Sequence, residues 1–123
     1  MRRSKRYKYK VIKKETRFSA IISGNSKYAL RYLKGTRVWA LPKTLGVMVF
    51  DTKTRAENFT LYDGENALII VRVLPYGMGK RPSRISGGIY TNDMDIFYGK
   101  NTRWFSSSPP LGTICYKGVY VVD

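Results

Sequence analysis

The chain has 123 residues, 43% of them hydrophobic and 14% aromatic, with 23 Lys and Arg against 8 Asp and Glu for a net charge of +15. That length and apolar content suit one folded domain around one core, and the charge points to a polyanionic partner, since clustered cations repel one another until something neutralises them. Histidine is absent and Cys115 is the only cysteine, which removes the commonest general base and metal ligand and excludes an internal disulfide or a cysteine-rich zinc site.

Positions 1–17 hold nine cations, Arg2, Arg3, Lys5, Arg6, Lys8, Lys10, Lys13, Lys14 and Arg17, against the single carboxylate Glu15. More than half of the net charge thus sits in about a seventh of the chain. Residues 1–6 (MRRSKR) offer no apolar side chain after Met1 and read as a basic N-terminal arm. No apolar stretch follows these cations, so a classical secretory signal is not expected. From Tyr7 the stretch YKYKV alternates, and as a strand it sets Tyr7, Tyr9 and Val11 on one face and Lys8 and Lys10 on the other.

RFSAIIS continues the strand pattern, GNS supplies a turn, and KYALRYL alternates with Tyr28, Leu30 and Tyr32 on one side, together a hairpin. A helix through SKYALRYL is the alternative. Gly35 breaks the chain before RVWAL, Pro42 and Gly46 bracket a loop, and VMVF is a short buried strand. In FDTKTRAENF, Asp51 or Thr52 caps a helix that turns Ala56 and Phe59 inward and Lys53, Arg55 and Glu57 outward. After the Asp63–Gly64 turn, ALIIVRVLP reads as the central strand, apolar on both faces except at Arg72 and closed by Pro75. It is too short for a membrane span. Residues 76–88 read as a glycine-rich loop, followed by short strands at IYT, DIFY, RWF and VYVV, with SSSPPLG as an extended connection.

The expected fold is α+β, mostly β: a single domain over residues 7–123 with six or seven short strands in a bent sheet or small barrel and one short helix, preceded by the arm.

The stretch GVMVFDTKTRAENF (46–59) resembles a pattern of small, functionally uncharacterised domains from viruses and prokaryotes: glycine, a short apolar strand ending in Phe, then a capped helix ending A-x-x-F. The closing PLGTICYKGVYVV is similar to the end of such domains, where a Gly-Thr turn leads to the last strand. The resemblance covers about a fifth of the chain. It implies a viral or mobile-element origin and brings no functional residues with it.

Three groups of residues carry candidate chemistry. The cations of positions 2–17 neutralise phosphates and release condensed counterions, an attraction indifferent to sequence, and the interleaved Tyr7 and Tyr9 are candidates for stacking on unpaired bases. In GMGKRPSR, glycine amides and the charges of Lys80, Arg81 and Arg84 suit a supporting phosphate contact. This is no P-loop, because Leu74 and Arg81 stand where that motif needs Gly and Ser or Thr. The pairs Asp93/Asp95 and Asp63/Glu65 are acidic turn residues before they are metal ligands.

The function expected from these residues is a non-enzymatic basic module that binds nucleic acid, DNA or RNA, or another polyanion through phosphate contacts, without cofactor, metal or membrane. The alternative is a structural component of a viral or other large assembly, a minor capsid-type protein whose arm threads between protein subunits. A reducing intracellular compartment, the cytoplasm, or a virion fits the lone cysteine.

Overall fold

The computed structural model describes residues 6–20, 30–41, 46–62, 67–81, 85–86, 106–107 and 110–123. Among the described residues the strands are β1 (Lys8–Lys13), β2 (Arg37–Trp39), β3 (Val47–Phe50), β4 (Leu68–Tyr76), β5 (Ile85–Ser86), β6 (Ser106–Ser107), β7 (Thr113–Tyr116) and β8 (Gly118–Val121), with a helix, α1 (Lys53–Tyr62), between β3 and β4. Six strands form one antiparallel sheet in the order β2-β8-β4-β1-β3-β7, and β5 pairs with β6 apart from it. The domain is α+β and mostly β.

Bending of the sheet follows from its connectivity. On a flat sheet β8 and β7 would lie four strand spacings apart, about 19 Å. Lys117 is the only residue between them, and one intervening residue spans at most about 7 Å. The sheet therefore curls until its ends approach. Past β4, Lys80 pairs with the outer side of β7, exchanging hydrogen bonds with Cys115 at 2.9 and 2.8 Å.

Both faces of the central strands are covered, so β1 buries consecutive residues, Val11 and Ile12. One face joins Ile12 to Val47, Val49, Val71, Val73, Val119 and Val121 under Tyr32. The other packs Val11 and Phe50 against Ala56 of α1, with the Phe50 and Phe59 rings 5.3 Å apart. Thr52 caps the helix, its Oγ1 accepting from the Arg55 amide at 3.2 Å. Pro75 does not close β4, which runs on to Tyr76 with Pro75 opposite Val119.

The 26–33 stretch is not helical at its described end: Arg31 bridges Phe18 in antiparallel register, and Tyr32 is buried while Arg31 and Leu33 are exposed. The tip of the expected hairpin (21–29) and the expected strands at IYT, DIFY and RWF lie outside the described residues. TICY, read only as a lead-in to the last strand, is a strand in its own right. At β8, Gly118 leaves room for the Trp39 indole, which a Cβ there would strike at 2.3 Å. Trp39 also packs beside Tyr76, centroids 5.0 Å apart.

Candidate functional site

After Lys13 the chain turns and returns residues 18–20 beside β1: the Lys13 amide donates to the Phe18 carbonyl and the Ala20 amide to the Val11 carbonyl. That returning segment takes the edge β1 would otherwise offer β3, and the two strands meet at one register pair, Tyr9 with Phe50. Two consequences follow. Residues 6–8 project past the end of β3, beside the turn into α1. Lys10 extends its ammonium to the Met48 carbonyl at 2.8 Å, on a stretch of β3 that has no register pair with β1.

The projecting end of β1 forms one wall of a cleft of about 850 Å³, lined by Arg6, Tyr7, Lys8, Tyr9, Asp51, Thr52, Lys53 and Arg81. Four cations thus share the cleft with one carboxylate. Asp51 Oδ2 accepts from Arg55 Nη1 at 2.9 Å and from Arg81 Nη2 at 2.7 Å. Burial works against its charge, but the Arg81 hydrogen bond and the Arg55 and Arg81 charges outweigh it and hold the carboxyl below its ordinary value. Asp51 is therefore a fixed anion that organises the arginines. Its Oδ1 is buried without a hydrogen-bond partner.

The cations around it feel one another. Burial first, then the Arg6 and Arg81 charges, lower the Lys8 pKa, with Asp51 partly opposing. Tyr116 is raised by burial, and Arg81 and Arg6 pull it back, so its hydroxyl borders the same field. The first turn of α1 carries no acidic residue. Lys53 and Arg55 stand there instead, where the positive end of the helix dipole already favours an anion.

The structure brings Arg6 and Lys8 together with Arg81 in one cleft, with Tyr7 and Tyr9 in its wall. It does not bring the rest. Lys10 is corrected: expected as a phosphate contact on a cationic face, it is 6% exposed, with its ammonium over the Tyr32 ring at 5.1 Å. The reason is that β1 is an inner strand, so its second face is core rather than solvent. Lys13 ends β1, roughly 17 Å from Lys8 at ~3.3 Å per residue, and Lys14 and Arg17 follow it in the chain. Arg17, at φ 63°, turns its guanidinium to the Tyr32 and Asp123 backbone oxygens at 2.8 Å each. Lys80 is exposed, its backbone pinned to β7. Arg2, Arg3, Lys5 and Arg84, and the pairs Asp93/Asp95 and Asp63/Glu65, lie outside the described residues.

Lys53 and Asp51 were missed as site residues, both having been read only for their helix. The available signal was a capped helix opening with Lys rather than an acid. Cys115 is buried, and burial pushes its thiol up to about 11, with Lys10 drawing it down. Among the described residues no three of Cys, Asp and Glu gather as metal ligands, and no helix is long and apolar enough to cross a membrane.

Fold and site together define a small antiparallel β domain with a basic cleft where a strand end meets a helix N-terminus. Comparison with protein-family models, curated proteins and solved structures finds no match for the chain.

Proposed function

We propose that the protein is a non-catalytic module that binds nucleic acid through its phosphates, with the cleft between β1 and α1 as the contact. The observation that carries this reading is the convergence of Arg6 from just before β1, Lys8 from β1, Lys53 from α1 and Arg81 from beyond β4 around a single, already neutralised carboxylate. Elements far apart in sequence supply the same charge to one place, beyond what solvation of a surface requires. The net charge of +15 adds a long-range attraction to any polyanion.

Phosphate contacts of this kind release roughly 0.7 to 0.9 of a counterion each. Affinity is therefore nearly indifferent to sequence, and with about four cleft cations engaged log K falls against log salt with a slope near −3. Anisotropy titrations of the full chain over a salt series test this. Replacing Arg6 and Lys53 together with alanine, while Arg55 and Arg81 remain on Asp51, takes about 1.5 off the magnitude of that slope. A flat salt response, or an unchanged slope in the double variant, overturns the reading.

A further inference from the structure

We propose that the cleft takes an unpaired strand, with a base stacked on the ring of Tyr7; this rests on the phosphate-binding reading above. Tyr7 and Tyr9 look equivalent in the sequence, but the structure separates them. Tyr9 also lines the cleft but is half-buried and packs against the cluster of Val11, Phe50 and Ala56, so less of it is open to a base. Tyr7 remains 40% exposed in the cleft wall.

The Tyr7 ring is held in place from outside the cleft. The Arg72 guanidinium lies 4.9 Å from its centroid, and Arg72 is fixed in turn by Asp123, which accepts from its backbone amide and Nε at 3.0 Å each and from Nη2 at 2.9 Å. An exposed aromatic ring braced by a clamped cation is a platform that loses little freedom when a base stacks on it. Arg6 and Lys8 adjoin it in the chain, and Arg81 lines the same cleft, so phosphates flanking the stacked base meet positive charge. Cationic track and aromatic platform together are the arrangement used for single strands.

Duplex nucleic acid does not fit this arrangement. Its bases already have both faces covered by their neighbours, whereas an unpaired strand presents a face to the ring.

The experiment compares the full chain binding an oligothymidylate of about 12 nucleotides with its binding to a duplex of the same length, at matched salt, by anisotropy. The single strand is expected to bind at least about tenfold tighter. Tyr7→Leu should lower that ratio roughly five- to 100-fold, and Tyr7→Phe, which keeps the ring face, should preserve it. A ratio unchanged in Tyr7→Leu, or lost equally in Tyr7→Phe, while salt-dependent binding persists, overturns stacking and leaves the phosphate reading standing. Absence of salt-dependent binding by the unmodified chain to either probe overturns both.

Discussion

The two ends of β1 carry similar charge and use it differently. At the N-terminal end Arg6 and Lys8 overhang β3 and face a cleft that Lys53 and Arg81 also line. At the C-terminal end Lys13 closes the strand, Lys14 stands in the turn after it, and Arg17 is committed to backbone oxygens of Tyr32 and Asp123. Between them Lys10 is buried and bonded to the Met48 carbonyl. One basic run in the sequence thus becomes a site, a turn and an internal tie. What distinguishes the first from the others is convergence: other elements bring Lys53 and Arg81 to it, and the proposed phosphate contact rests on that.

That contrast is most directly broken by moving the same charge deletion from one end to the other. Arg6→Ala with Lys8→Ala should lower nucleic-acid affinity about ten- to 100-fold at 50 mM salt, the loss of about two phosphate contacts. Lys13→Ala with Lys14→Ala should lower it about twofold, through the long-range field alone. Anisotropy titrations of the two double variants decide it. Equal losses would show that the charge acts as a diffuse cloud and that the cleft is not its focus.

The middle of the strand gives the next largest effect, read in stability. Burial pushes the Lys10 ammonium down to about 8, partly opposed by Cys115. Between pH 8 and 9 the folded state gives up the Lys10 proton while the unfolded chain keeps it, so the unfolded state holds more protons and stability rises with pH, by at most about 1.4 kcal/mol per unit. Above pH 9 Cys115 works in the other direction: its thiol is raised to about 11 in the fold, the unfolded thiol ionises first, and stability falls as pH climbs through that range. Urea midpoints from pH 7 to 10 should therefore rise to about pH 9 and then flatten. Lys10→Met should abolish the rise, and Cys115→Ala should extend it toward the ordinary lysine value. Parallel pH curves for the unmodified chain and Lys10→Met would sink this account.

Much of the fold was legible because local signals agreed with it. Gly46, the VMVF strand, the Thr52 cap and the inward Ala56 and Phe59 are all settled within a few residues, and β4 announces itself as a continuous apolar run. The ambiguity at Lys10 was of another kind. YKYKV alternates correctly, but alternation tells which residues share a face, not whether that face meets water. Only the position of β1 inside the sheet decides it, and that depends on pairing with β4, some sixty residues away. The cleft was half legible for the same reason. Arg6, Lys8 and Arg81 were visible as charges, yet their meeting depends on the bend that brings Lys80 back onto β7, while Asp51 was hidden by a helix-capping role and Lys53 by its place on the outward face of the helix.

The smallest effect sharpens the comparison from the structural side. Asp123 anchors Arg72 through its side chain, and hydrogen bonds from Arg72 hold its carboxyl down to about 2. A carboxyl lowered in the fold contributes stability that is present above its unfolded value near 4 and is lost as pH falls through about 2. The side chains of the pair are 45% and 42% exposed, so solvent screening cuts the contribution well below what the shift alone implies. Asp123→Asn should lower the melting temperature by only about 2 °C at pH 7, and the two proteins should melt together near pH 2. Because Arg72 braces Tyr7 and does not line the cleft, the same variant should weaken single-strand binding slightly while leaving the slope of log K against log salt unchanged. A changed slope would mean that Arg72 itself contacts phosphate, and would extend the binding surface from the cleft across the Tyr7 ring toward the end of β8.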